Sequence, residues 1–245
     1  MKIAAAQFGS VRGDVEKTIL SHTRVAQKAA DHGASYILYP ELSLTGYELD
    51  LASEMAFAPK DSRLQPLYKI AQECQLTISL GLPLRHSDGL FLANLIILPN
   101  NDFLIYKKIH LHGAEKDVFD FGEHHVVTPH NGEKIGHAIC ADITHPEHIA
   151  CCAVEKSTIY AASVFLSPKV IDIESEMLSA YSHDYTQLVI MANSAADAST
   201  AVTAGQSGAW YQGKCLAQFK GVEKGLVLAE KVNDMWKASL LKLED

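Results

Sequence analysis

Apolar residues recur along the chain with two periods, and the switch between them outlines the elements. Residues 2–8 (KIAAAQF) are a short apolar run that reads as a buried strand. Between 14 and 32, Val15, Ile19, Leu20, Val25, Ala26, Ala29 and Ala30 trace a helical stripe. Asp14 can cap this helix and Gly33 can end it. Residues 35–39 (SYILY) read as a second buried strand, closed by Pro40. A helix over 63–74 follows, then strands over 76–82, 90–98 and 103–109. The last two strands are joined by the turn-forming run Pro99-Asn100-Asn101-Asp102. Strands are expected over 126–128 and 134–139, a helix over 146–156, a strand over 159–166, a helix over 172–185 and a strand over 188–192. From Ala201 onward three short strand-like runs alternate with glycine-containing turns, and 232–241 reads as a short terminal helix or tail.

Helices thus alternate with strands in each half, with tight-turned consecutive strands between. This is an α/β pattern in which helices cover sheets that also hold antiparallel hairpins. No linker rich in Pro, Gly or Ser interrupts residues 1–245, so a single domain is expected.

The chain has 245 residues, 48% hydrophobic and 20% charged, as in an ordinary globular protein. Its formal net charge of −8 excludes the basic surface that nucleic acid or an anionic membrane calls for. No apolar run approaches the roughly 18 residues of a membrane span, and no charged-then-apolar leader precedes the first strand. The five cysteines (Cys74, Cys140, Cys151, Cys152 and Cys215) lack the paired spacing of a disulfide framework or zinc site. A reducing cytoplasm is the expected setting.

Candidate chemistry centres on 133–147 (EKIGHAICADITHPE). An apolar strand delivers Cys140 into a polar turn, and Pro146 suits the first turn of a helix. A thiol at such a junction meets converging backbone N–H groups, an environment that favours a thiolate and an oxyanion. The alternative is a buried structural cysteine. Glu41 and Lys108 also follow apolar strands. If the three strands share one sheet, a carboxylate, an ammonium and a thiol meet at one edge. That set supports nucleophilic acyl transfer: Cys attacks, Glu moves the proton and Lys stabilises the oxyanion.

The segments YPELSLTGY (39–47), YKKIHLHGAEKDVFDFG (106–122) and GHAICADITHPE (136–147) resemble, in order and spacing, the three signature blocks of the nitrilase superfamily of carbon–nitrogen hydrolases. A looser match covers 181–195 and 205–215. The resemblance implies a four-layer α-β-β-α sandwich, with Glu41 as general base, Lys108 rather than Lys107 as the lysine, and Cys140 as nucleophile. It implies that Glu115 positions substrate and lysine, and that the N–H of Ala141 forms an oxyanion hole with Lys108. It implies a homodimer or larger homo-oligomer, a small-molecule amide substrate, no cofactor and no metal. Ala141 and Thr144-His145 depart from the aromatic residue and the arginine common in the family, and little chain follows Leu241 for an intersubunit tail.

The expected function is hydrolysis of a small carboxamide to acid and ammonia. A ureido amidohydrolase, a nitrilase and a non-catalytic binding protein of the same fold remain alternatives. His124, His125, His145 and His148 lack a carboxylate-rich or cysteine partner pattern and read as surface or site-bordering residues. Cys151 and Cys152, being adjacent on a helix, cannot both face the core. Tyr47, Ser163 and Asn193 are open between pocket-lining and structural roles.

Overall fold

The first strand, β1 (Lys2–Gln7), shows how the layers arise. Alternate side chains of a strand leave on opposite faces. Ala4 and Ala6 meet the helices on one side, whereas Ile3 and Ala5 meet a second sheet on the other. Both faces are apolar because both are covered.

The computed structural model describes residues 1–243. The helix α1 (Val15–Asp31) begins where the Asp14 carboxylate accepts the Lys17 N–H, and Gly33 at φ +83° turns the chain away from it. Strand β2 (Tyr36–Leu38), helix α2 (Gln65–Glu73) and strands β3 (Thr77–His86), β4 (Gly89–Ile97) and β5 (Phe103–Lys107) follow. The second half supplies β6 (Val127–His130), β7 (Glu133–Ile139), α3 (Pro146–Val154), β8 (Ile159–Val164), α4 (Ile171–Asp184) and β9 (Leu188–Asn193). It ends with β10 (Gly208–Tyr211), β11 (Lys214–Gln218), β12 (Gly225–Val232) and β13 (Met235–Lys242).

The strands form two sheets, ordered β13-β12-β1-β2-β3-β4-β5 and β11-β10-β9-β8-β7-β6. Helices α1 and α2 bury Ile19, Val25, Ala26, Leu67 and Ala71 on the outer face of the first sheet. Helices α3 and α4 bury Ile149, Cys152, Leu178 and Tyr181 on the outer face of the second. Tyr36 and Leu38 meet Ile135, Ile159 and Ile190 between the sheets. The architecture is the α-β-β-α sandwich. Among the described residues, no helix is long and apolar enough to cross a membrane.

Two expectations are corrected. Residues 232–241 are not a helix or tail: Asn233 and Asp234, both at positive φ, turn β12 into β13, which pairs along its length. Paired positive φ values at Asn-Asp are the signature of a two-residue hairpin loop. The three site strands also do not share a sheet. β2 and β5 lie in the first, β7 in the second. β3 is parallel to β2 and antiparallel to β4, which is antiparallel to β5, so β2 and β5 still end on the same edge.

Candidate active site

Glu41 leaves β2 through Pro40 into a tight turn in which Leu42 adopts φ +49°. This turn crosses β3 at Gly81. A Cβ at Gly81 would stand 2.4 Å from Leu42 N and 2.5 Å from the Pro40 oxygen, so no larger residue fits beneath it. Ser163 on β8 reaches across and donates to the Tyr39 carbonyl at 2.7 Å. The structural reading of Ser163 therefore applies.

Lys108 continues β5 and is 1% exposed. Its Nζ donates to Glu41 Oε1 at 2.6 Å and to both oxygens of Glu115 at 2.9 and 2.8 Å. Lys107 points elsewhere, to Asp88 and over the Phe91 ring, as strand alternation requires. Glu115 sits in the short turn Gly113–Asp117, where its Oε2 accepts the His112 N–H and its Oε1 accepts the Tyr47 hydroxyl at 2.7 Å. Tyr47 stacks on Phe165 at 5.0 Å.

Cys140 follows β7 and opens the tight turn Cys140–Thr144 with φ +43°, a strained conformation for a non-glycine residue. Its sulfur lies 3.9 Å from the Phe165 carbonyl oxygen. Asp142, two residues on, is fully buried and accepts four hydrogen bonds: from Ile139 N, His110 N, His110 Nδ1 and the Tyr106 hydroxyl. It ties the cysteine turn to the segment after Lys108. Burial pushes its carboxyl up, but His110 and these other partners hold it below the usual range. The sequence reading passed over Asp142; its place two residues past the cysteine, inside a tight turn, was the available signal.

One ammonium faces two buried carboxylates, and the balance of charge sets the protonation. Burial, opposed by Lys108 and reinforced by the Glu115 charge, pushes Glu41 up to about 7. Burial favours loss of the Lys108 proton, yet the charges of Glu41 and Glu115 outweigh it and hold Lys108 above its ordinary value. Cys140 retains some exposed surface, but its sulfur is deep enough that burial, followed by the Glu41 charge, raises the thiol well above its ordinary value. The expected thiolate is therefore corrected to a resting thiol. Glu41 Oε2 is buried with no hydrogen-bond partner among the described residues, and the thiol is close enough to lower the Glu41 pKa. The arrangement thus offers an acceptor for the thiol proton.

A narrow cleft is lined by Glu41, Tyr47 and Phe165, together with Arg12, Glu48 and Asp197. Tyr47 is thus both a cleft residue and a partner of Glu115. Asn193 is structural, bonding the backbone of Leu166, Gly205 and Ser194. His148 is not a surface residue. It is buried between the hydroxyls of Tyr106 and Tyr160, at 2.8 and 2.9 Å, and burial lowers it to about 4. Of the adjacent cysteines, Cys152 is buried and Cys151 exposed.

The carbon–nitrogen hydrolase family model matches residues 2–233. The chain belongs to this family. A glutamine-dependent NAD(+) synthetase of Thermotoga maritima is 25% identical over 76% of this chain and 34% of the synthetase. An (R)-stereoselective amidase of Pseudomonas sp. is 26% identical over 60% of the chain and 54% of that amidase. The matched regions thus cover about a third and about half of these two relatives. Among solved structures, an amidase from Nesterenkonia sp. AN1, carrying the product of acrylamide addition at its active-site cysteine, superposes with a TM-score of 0.86. It is 22% identical over 96% of this chain and 94% of that one, a likeness that establishes the shared fold.

Proposed function

We propose that residues 1–245 form one carbon–nitrogen hydrolase domain that cleaves a small carboxamide to acid and ammonia, with Glu41, Lys108 and Cys140 as its catalytic triad. The observation that carries this reading is the buried Lys108 ammonium, bonded to Glu41 and Glu115, beside a thiol whose proton Glu41 can accept.

In this mechanism the Cys140 sulfur attacks the amide carbon as Glu41 takes the thiol proton. The tetrahedral oxyanion is held by Lys108 and by the N–H of Ala141, which lies in the first turn after Cys140, where donors lack partners within the turn. Glu41 returns the proton to the leaving nitrogen, ammonia departs and a thioester remains. Water, activated by Glu41, then releases the acid and restores the thiol. Glu115 holds Lys108 in place and is itself held by Tyr47 and the His112 N–H. An ammonium fixed by two carboxylates needs no reorganisation as charge develops, which is why burial strengthens its effect.

The test is ammonia release from a panel of small amides, ω-amides, ureido acids and nitriles, with Cys140→Ala in parallel. Butyramide belongs on the panel because the Nesterenkonia amidase is solved in complex with it. Glutamine belongs there because of the synthetase relatives. Turnover of one class by the wild type alone supports the reading and names the substrate class. Equal ammonia release by Cys140→Ala removes Cys140 as nucleophile.

A homodimer through the helices that follow the nucleophile accords with Val154 on α3 and Ile173 on α4, which are 82% and 70% exposed. Light scattering of the purified chain decides it. A cytoplasmic setting accords with five free thiols.

A further inference from the structure

The mechanism uses no histidine, yet three imidazoles crowd the turn behind the nucleophile. His110 and His145 come from different segments and stack face to face, with ring centroids 3.7 Å apart and planes 10° apart. His148 lies below them, already committed to two tyrosines. Glu147 stands beside the pair in the first turn of α3.

We propose that His110, His145 and Glu147 form a binding site for a divalent cation of the zinc class, clamping the segment after Lys108 to the turn after Cys140. The three side chains offer ligand atoms that all lie within 4.8 Å of one another. Two imidazoles and a carboxylate suit Zn²⁺ or its neighbours rather than Mg²⁺ or Ca²⁺. Bonds of 2.0–2.1 Å in a tetrahedron put ligand atoms roughly 3.4 Å apart, and an imidazole binds an ion in its own plane, so closing the site requires the His110 and His145 rings to tilt out of their stack.

The surroundings select the ligand atoms. His110 Nδ1 lies 3.0 Å from Asp142 Oδ1, and His145 Nδ1 lies 2.8 Å from the Ala141 carbonyl oxygen. A carboxylate and a carbonyl only accept, so each Nδ1 carries the hydrogen and each Nε2 keeps its lone pair. A carboxylate or carbonyl behind each imidazole is the outer support that metal-binding histidines have. Neither Nε2 has a hydrogen-bond partner among the described residues, and the Glu147 carboxylate makes no hydrogen bond or ion pair there. Both histidines are partly exposed and Glu147 is open, so an ion can enter and a water can complete the tetrahedron. Strand and helix periodicity cannot reveal this set, because His110 and His145 meet only through Asp142, which holds their segments together.

The ion would take no part in the reaction; it would restrain Ala141 and Asp142 through the groups that rest on them. The proposal does not depend on the amidase reading, since it concerns binding. Its test uses the chelator-treated full chain with Cys140→Ala, which removes the active-site thiol as a competing ligand. Titration with Zn²⁺ followed by calorimetry is expected to show one equivalent bound. The Tm should rise by about 5–10 °C at a hundredfold excess over Kd. Co²⁺ should give visible d–d bands without the thiolate-to-cobalt band. In the same background, Glu147→Gln, at an exposed position that leaves folding intact, should weaken Zn²⁺ binding by about tenfold. His110→Asn with His145→Asn, checked for folding by circular dichroism, should weaken it at least a hundredfold. Zn²⁺ affinity unchanged in both variants overturns the proposal, as does a thiolate-to-cobalt band that assigns the ion to Cys151 or Cys215.

Discussion

Ser163 on the second sheet donates a 2.7 Å hydrogen bond to the carbonyl of Tyr39 on the first, two residues before Glu41. Glu41 and Cys140, the proposed base and nucleophile, follow strands of different sheets, and this bond is one of the ties that set the distance between them. Phe8 and Ser194 make a parallel bridge that joins the sheets at another point. Removing the Ser163 hydroxyl leaves the buried Tyr39 carbonyl without this donor. Ser163→Ala is expected to cost about 1–3 kcal/mol in chemical denaturation. It should lower kcat, because the loosened element carries Glu41, the proposed base. A variant with wild-type kcat would show that the placement of Glu41 does not depend on this bond.

The turn at Glu41 depends on a glycine on the neighbouring strand. Gly81→Ala places a methyl carbon 2.4 Å from Leu42 N and 2.5 Å from the Pro40 oxygen, both backbone atoms that cannot swing aside. Loss of roughly 1–3 kcal/mol in stability and of at least about 90% of turnover is expected. Gly132→Ala serves as the control. Its Cβ would meet nothing within 4 Å, although its φ of +85° carries a conformational cost, so activity should survive there.

The two carboxylates on Lys108 are not equivalent. Glu115→Gln retains the shape and removes one charge, and a drop of about 10²-fold in kcat is expected as the ammonium loses its anchor. Lys108→Met leaves Glu41 and Glu115 buried without their counter-ion. It should abolish turnover and lower stability by about 3–5 kcal/mol at neutral pH. Urea titration of the two variants separates them, since only the second should lose much stability.

In the proposed mechanism the pH profile follows from Glu41, which would have to be ionised to accept the thiol proton. With its pKa near 7, kcat/KM should rise through pH 7 as pH increases and then level off. The thiol sits well above its ordinary value, so no second inflection is expected between pH 7 and 9. A profile falling as pH rises through 7 would mean that the protonated carboxyl, not the carboxylate, is the active form.

Two buried histidines make stability pH-dependent on their own. Burial lowers His22 to about 4 and His137 to about 3, against an ordinary value of 6.5. Below pH 6.5 the unfolded chain takes up protons that the folded chain refuses. Stability is therefore complete above pH 6.5 and declines as the pH falls toward 4, by about 1.4 kcal/mol per pH unit for each residue. Denaturation of wild type and a His22→Gln, His137→Gln double variant between pH 4 and 8 should show the acid slope reduced in the variant.

What the sequence by itself determined is local. Apolar periodicity placed the helices and nearly every strand, because side-chain direction repeats with the backbone of each element. Asp14, Gly33 and Pro146 marked element ends through their own conformational preferences. The blocks around Glu41, Lys108 and Cys140 carried the family. Asn233-Asp234 was legible in principle as a hairpin turn, but the exposed outer face of β13 hid the strand behind it.

Only the tertiary structure decided what depends on distance between remote segments. Whether Cys140 rests as a thiol turns on its depth and on the negative Glu41 beside it, neither of which a strand-to-helix motif specifies. The partition of β2, β5 and β7 between two sheets follows from pairing across the chain, to which local periodicity is blind. The same holds for Gly81 beneath Leu42, for Asp142 between His110 and the nucleophile turn, and for the stacking of His110 on His145. Each is a contact between side chains or backbones far apart in sequence, fixed by strand pairing and packing across the chain rather than by any residue's local preference.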